Sequence, residues 1–353
     1  MYTNTIPIIM DAGPCCNDRL VIKSGKKTTF SMIDGWILFH VKHCGGIMAA
    51  RQKKAAVKKK KSVQPAARRR FGWRIALAIL GALLLLLGYM HLNANIVHVR
   101  YAEVLLDDLP ASFDGTQALF ASDFDLCGLN TARDAEKLFD RLQPLNPDML
   151  LLGGDYASPS LIDRLNGRSG AEETAARKAF FEAAADFHAP LGKFAVSGDN
   201  DGNTDTLKLV MTNSGVELID GRIQTVSNGT DSIYLAGVGE GTSDVSALAN
   251  QLSGDQFVIA LMHRPSRVVD VRIAEARGGG QWADLSLAGH THGGQIRIGS
   301  RTLLSLTEAE KRCIGGWSTD GGILLVTEGV GCESVNLRFG SRAEVWLITL
   351  RCK

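Results

Sequence analysis

The sequence predicts an α/β domain of layered sheets with helices outside, preceded by one apolar membrane helix. Two observations predict it. After residue 100, short β-rich runs alternate with amphipathic helical stretches, the pattern of strands joined through helices. Ahead of them, an uncharged run at 75–90 with five consecutive leucines at 83–87 follows a dense Lys/Arg tract.

Charge divides the chain in the same place. The 353 residues carry 39 Lys+Arg against 37 Asp+Glu, a net +2. Residues 1–74 hold 16 basic and 3 acidic side chains, giving +13, and residues 75–353 carry −11. An argument from whole-chain pI for nucleic-acid binding therefore fails. With 45% apolar and 22% charged residues, the chain is too apolar to be disordered throughout. About 260 residues follow the apolar run, enough for one large core or two small ones. Seven Cys without a C-x-x-C pair exclude a disulfide scaffold and a zinc knuckle.

Taken in order, residues 1–47 show no sustained period, and Met48 opens a conventional bacterial membrane-protein start. The expectation is that translation begins at Met48 and that 1–47 is a non-native leader. A DNA site of the chromosome-partition type can encode residues 39–43, which supports it. A disordered tail is the alternative. Residues 48–74 read as a basic cytoplasmic segment, with eleven Lys/Arg and no acid after residue 50. The apolar sixteen residues fall short of the ~20 that span hydrocarbon. Phe71, Trp73, Tyr89 and a snorkelling Arg74 extend them by about a turn. Residues 75–92 are thus read as a transmembrane anchor, N-terminus cytoplasmic, with the remainder extracytoplasmic. A cleaved signal would need a site near Leu92-Asn93-Ala94, a poor A-x-A match, which favours an uncleaved anchor.

Within the domain at 100–353, strands are expected at 117–122, 148–153, 193–197, 232–237, 257–262, 284–288, 322–327 and 343–350. Helices are expected at 131–142, 171–187, 204–213, 244–252 and 266–276. Nearly every apolar strand ends abruptly in metal-ligand chemistry. The first runs into Asp123-Phe124-Asp125, the next into Gly153-Gly154-Asp155, and the third into Gly198-Asp199-Asn200-Asp201. Two later ones end in His263 and in Gly289-His290-Thr291-His292-Gly293-Gly294. Ligands at strand C-termini of open α/β sheets converge on one crevice. Carboxylates mixed with imidazoles suit Mn, Fe or Zn.

Each piece alone is weak. Asp-Phe-Asp is commonly a solvated strand end, and a lone His263 is commonly a satisfied edge histidine. Asp199-Asn200-Asp201-Gly202 resembles an Asx turn or a calcium loop. The calcium pattern fails, because Thr204 and Val210 occupy the positions that need Gly and Glu. Two His at i and i+2 face opposite sides of a strand, so His290 and His292 share a site only on a loop. The flanking glycines suit such a loop.

The order of the five pieces resembles the calcineurin-like metallophosphoesterase superfamily, in its membrane-associated bacterial branch. The resemblance runs from about Gln117 to the C-terminus and includes Gly289–Gln295 (GHTHGGQ). It implies a four-layer sandwich of two mixed β-sheets flanked by helices, with a site for two divalent ions (Mn, Fe, Zn or Mg). Carried over by position, Asp123, Asp125, Asp155 and His292 hold the first metal. Asp155 bridges to a second, which also takes Asp199, His263 and His290. Where this chain has Asp125 and Asp199, the family usually has His and Asn, so each position gains a negative charge. Where it has Asn200, the family has a His thought to protonate the leaving group. Asn donates a hydrogen bond but transfers no proton, and general acid catalysis is worth about 10²–10⁴-fold. An Arg near the site would offset the added charge, with Arg133 and Arg264 as candidates.

These residues imply a membrane-anchored phosphohydrolase acting on a phosphodiester or pyrophosphate, with Asn200 the catalytic-site variant. A phosphorylated small-molecule or lipid-linked substrate is expected, and no nucleic acid for the catalytic domain. The alternative is a pseudoenzyme that binds metal and a phosphorylated ligand. Separately, the Lys/Arg tail could bind nucleic acid or anionic lipid.

Overall fold

The computed structural model describes residues 65–126, 131–159, 165–166 and 170–353. The expected leader at 1–47 and most of the basic segment at 48–74 lie outside them. The chain divides into two compact units, one ending at Gly81 and the other holding Ala82–Lys353.

Helix α1 (Pro65–Asn95) extends beyond the apolar run at both ends. Its segment Gly72–Asn95, 24 residues, is long and apolar enough to cross a membrane. At 1.5 Å per residue it measures about 36 Å, against about 30 Å of hydrocarbon. Leu84, Leu85 and Leu92 are 59%, 78% and 62% exposed, so no protein layer covers this face. In its last turns Met90 and Ala94 are buried.

Two six-stranded sheets make the domain. The first has the order β1 (His98–Leu106), β14 (Glu344–Cys352), β2 (Gln117–Ala121), β3 (Met149–Leu152), β4 (Lys193–Ala195), β5 (Val216–Leu218). Strands β2 to β5 are parallel, and β14 is antiparallel to β2. The second has the order β12 (Gly316–Ser318), β13 (Ile323–Val326), β9 (Leu285–Ala288), β8 (Val258–Met262), β7 (Asp231–Val238), β6 (Ile223–Asn228). Its central four strands are parallel, and β12 and β6 are antiparallel edges. A short hairpin, β10 (Arg297–Ile298) and β11 (Arg301–Thr302), stands apart from both.

The two-residue period of each strand sorts side chains between layers. On β2, Ala118 and Phe120 join the core between the sheets, while Leu119 and Ala121 face outward. On β8, Ile259 and Leu261 point inward, and Val258, Ala260 and Met262 point outward. The outer face of the first sheet is covered by α2 (Ala132–Leu142), α3 (Ala171–Ala185) and α4 (Thr204–Met211) through Phe139, Phe180, Phe181 and Leu207. The outer face of the second is covered by α5 (Val245–Ala249) and α6 (Val268–Ile273) through Leu248 and Val271. Helix–sheet–sheet–helix is the expected four-layer sandwich. Local signals agree with it: Asp134 caps α2 by accepting from the Thr131 N–H (3.0 Å) and hydroxyl (2.8 Å).

The expected elements between residues 117 and 350 are present, with shorter ends for several helices. The expected helix at 244–252 is helical only over Val245–Ala249, and the one at 266–276 is a 3₁₀ turn followed by Val268–Ile273. Strands β1, β5, β6, β10, β11 and β12 are additional.

Candidate metal centre

Parallel strands that share a direction deliver their C-terminal loops to one edge. Loops after β2, β3 and β4 of the first sheet meet loops after β8 and β9 of the second there. Backbone contacts knit them together: Asp123 N–H donates to Gly154 O (2.9 Å), and Gly289 N–H donates to His263 O (2.9 Å).

The turns that follow the strands are tight. Asp123, Asp125, Asp155, His290 and His292 all have left-handed backbone, with φ of 56°, 43°, 55°, 71° and 49°. This region costs non-glycine residues of order 1–3 kcal/mol each and persists where surrounding structure imposes it. Phe124 shows how. Its ring packs on Phe180 at 4.5 Å between centroids in the outer core, and the reversals on either side turn Asp123 and Asp125 away from it. Gly198 has a different reason to be glycine, since a Cβ there would collide with the Asp155 carboxylate.

The seven expected ligand candidates fall into two neighbouring groups. Donor atoms of Asp155, Asp199, His263 and His290 lie within 4.8 Å of one another. His263 Nε2 is 2.8 Å from Asp199 Oδ1 and 3.5 Å from Asp155 Oδ2, and His290 Nδ1 is 3.0 Å from Asp199 Oδ1. His263 Nδ1 contacts the Gly153 carbonyl at 2.8 Å, which fixes the ring so that Nε2 faces the carboxylates. In the other group, His292 Nε2 lies 3.2 Å from Asp125 Oδ2, with Asp123 alongside. Asp123 Oδ1 accepts from the His290 N–H (2.8 Å) and so ties the two groups together.

The electrostatics fit a bound cation. Burial, then the neighbouring charges of Asp155 and Asp123, push Asp125 well above the usual carboxylate range. Burial pushes Asp123 up to about 6. Asp123 Oδ2 and both carboxylate oxygens of Asp125 are buried without a hydrogen-bond partner among the described residues. Such atoms are costly unless something outside the protein satisfies them. On the other side, burial opposes ionisation of Asp199, but hydrogen bonds and charge from His263 and His290 outweigh it and hold the group low. His263 is correspondingly held well above the usual histidine range, burial opposing and Asp155 and Asp199 prevailing. Burial and then the Arg338 charge push His292 down to about 3, leaving it a neutral imidazole. Crowded carboxylates beside neutral and displaceable imidazoles are a donor set for hard or borderline dications.

Four further residues serve the site, and of these the sequence singled out only Arg264 as a candidate. Asp201 is buried and accepts from the N–H groups of Asp155 (2.8 Å), Tyr156 (3.0 Å) and Gly198 (2.8 Å), fastening two ligand loops. Arg338, fully buried, donates to the carbonyls of His292 (3.2 Å), Arg342 (3.0 Å), Gly329 (3.2 Å) and Gly331 (2.6 Å). Arg264 lies 3.0 Å from Asp199, 3.1 Å from His290 Nε2 and 2.9 Å from Glu240. Buried Glu310 faces Arg264 at 3.7 Å and His290 at 3.5 Å. Of the two arginines considered as charge partners, Arg264 is the one at the centre; Arg133 sits exposed in the first turn of α2. Asn200 is turned onto a ligand: its side-chain amide and its backbone N–H each donate to Asp155 at 2.8 Å.

A sandwich whose parallel strands end in this Asp/His set defines a metallophosphoesterase scaffold. The model of the calcineurin-like phosphoesterase family matches residues 118–294, and the chain belongs to that family. It is similar to the uncharacterized metallophosphoesterase YkuE of Bacillus subtilis, 26% identical over 251 residues that cover 69% of this chain and 82% of YkuE. A transmembrane protein with metallophosphoesterase domain from Danio rerio is 25% identical over 268 residues, covering 70% of this chain and 56% of that one. The crystal structure of calcineurin-like phosphoesterase YfkN from Bacillus subtilis aligns with a TM-score of 0.33 at 14% identity, covering 61% of this chain and 82% of YfkN.

Proposed function

We propose that the chain is a membrane-anchored two-metal phosphoesterase that hydrolyses a phosphodiester or pyrophosphate bond on the extracytoplasmic side. The observation that supports this reading is the meeting of Asp155, Asp199, His263 and His290 within 4.8 Å of one another, beside an Asp125–His292 contact of 3.2 Å. Asp123, Asp125, Asp155 and His292 would hold one ion, and Asp155, Asp199, His263 and His290 the other. Bound metal supplies an activated hydroxide and stabilises charge on the phosphoryl oxygens.

The chain's own residues set the substrate. Asn200 offers no transferable proton and is engaged with Asp155, so the leaving group must depart without a general acid from that position. A leaving group that is itself a phosphate fits this requirement. Arg264, beside Asp199 and His290, is positioned to meet an anionic phosphoryl oxygen and offsets the added carboxylates. Tethering beside a bilayer suits a lipid-linked phosphodiester or pyrophosphate over a diffusible one. Nucleic acid is not an expected substrate.

The test uses the full chain in detergent, loaded with Mn, Fe, Mg or Zn and given aryl phosphodiesters from neutral to alkaline pH. Metal-dependent turnover that is lost in Asp155→Asn supports the enzyme. The engagement of Asn200 with Asp155 favours one second reading, a pseudoenzyme that binds metal and a phosphorylated ligand. Tight metal binding without turnover of any activated ester selects it. A gain of activity in Asp125→His with Asn200→His would then locate the deficit in those two residues.

A further inference from the structure

The last turns of α1 are built into the domain at one segment, residues 336–341. Arg338 N–H donates to Met90 O (3.1 Å), the Asn93 amide donates to Ser341 O (2.8 Å), and His91 Nδ1 meets Asn336 O at 3.2 Å. Tyr89 packs edge-on against Phe339 at 6.4 Å between centroids. The same segment carries the β10–β11 hairpin on its other side. Arg297 N–H donates to Phe339 O (2.8 Å), and Phe339 N–H donates to Gln295 O (2.9 Å). The hairpin and the end of the apolar helix therefore hang from one strip of backbone.

Ile298 on that hairpin and Leu303 directly after it hold two large aliphatic side chains out into solvent. Leu303 and Ile298 are 79% and 76% exposed. Residues 296–307 contain two arginines and no acid. Exposed aliphatics flanked by Arg are the composition of a surface that settles into the headgroup–acyl boundary. The hairpin also follows the metal-ligand loop directly. Ile298 lies six positions after His292, a reach of at most ~20 Å.

We propose that the β10–β11 hairpin is a membrane contact, with Ile298 and Leu303 entering the leaflet from which α1 emerges. It holds the His292 loop against that leaflet, so the substrate is a phosphodiester or pyrophosphate whose lipid part remains in the bilayer. This inference rests on α1 being a membrane anchor.

The full chain in nanodiscs, with lipids brominated near the headgroup end of their acyl chains, tests it by tryptophan quenching. The quenching lost in Trp73→Phe, relative to the native protein with its five tryptophans, gives the Trp73 signal in α1 and reports whether the anchor is inserted. Ile298→Trp and Leu303→Trp report the hairpin. Leu209→Trp on α4 is the reference, because α4 packs beside β5, the edge strand opposite β1 and some 24 Å away at ~4.8 Å per strand. Quenching at 298 and 303 about twofold or more above that at 209 is the expected result. In Ile298→Ser with Leu303→Ser, KM for a phosphodiester lipid embedded in the disc should rise about tenfold, while turnover of a soluble aryl ester stays unchanged. Quenching of Trp73 with none added at 298 and 303 overturns the hairpin contact and leaves the anchor standing. No quenching of the parent protein overturns both. Quenching reads the contact even where no ester is turned over, so failure of the enzymatic reading is seen separately.

Discussion

Metal uptake at this centre should release protons, because two of its donors hold protons that a metal ion must displace. Burial and the adjoining carboxylates keep Asp125 protonated well above the usual range. His263 is held protonated by Asp155 and Asp199 against the opposing effect of burial. His292, pushed down to about 3, is already neutral and releases nothing. Asp123, at about 6, contributes a third proton only under more acidic conditions. Groups protonated in the free site and deprotonated in the loaded one make affinity rise with pH. Each displaced proton is worth tenfold, or about 1.4 kcal/mol, per pH unit. The logarithm of the Mn association constant should therefore rise with pH, and Asp123 adds a further proton as the pH falls through about 6. Isothermal titration of the full chain in detergent, repeated in buffers of different ionisation enthalpy, counts the protons directly. Proton release near zero, or an affinity that does not rise with pH, refutes the reasoning.

Other perturbations separate the supporting residues. Gly198→Ala drives a methyl group into the Asp155 carboxylate and should weaken Mn binding about tenfold or more while the domain still unfolds cooperatively in urea. Arg338→Met leaves four carbonyls without their donor and should cost about 3–5 kcal/mol of stability in the same urea assay, with Arg338→Lys recovering part of it. Arg264→Gln should raise KM for an aryl phosphodiester about tenfold with a smaller change in kcat, an effect that shrinks as salt is added.

The candidate ligands were legible because each is an Asp or His placed where an apolar run stops. Strand direction then determines which loops can meet. The sandwich was legible through the alternation of runs and helices, and its layer count through the resemblance. Other parts left no readable trace. Strand β1 turns Tyr101 and Leu105 outward, 67% and 62% exposed, which blurs its alternation, and its partner β14 lies at the opposite end of the chain. Strand β5 is three residues long and β6 reads as polar. Arg338 resembles any surface arginine, and its burial depends on four carbonyls contributed by separate loops. Asp201 suggested a turn residue, yet it is the acceptor that joins two ligand loops. The left-handed backbone falls on His290 and His292 themselves as well as on the glycines beside them, and nothing in a non-glycine residue announces that.

The junction of α1 with residues 336–341 bears on how a soluble form could be cut. A fragment beginning at residue 93 would keep the Asn93 contact to Ser341 but discard Tyr89 and Met90. The Arg338 N–H would lose its acceptor and Phe339 its aromatic neighbour, in the segment that supports both Gln295 and the His292 carbonyl. A cut upstream of Tyr89, with the leucines at 83–87 replaced by polar helix formers, keeps that support. The end of α1 is part of the domain's packing, so a change made there reaches the segment behind the candidate metal centre.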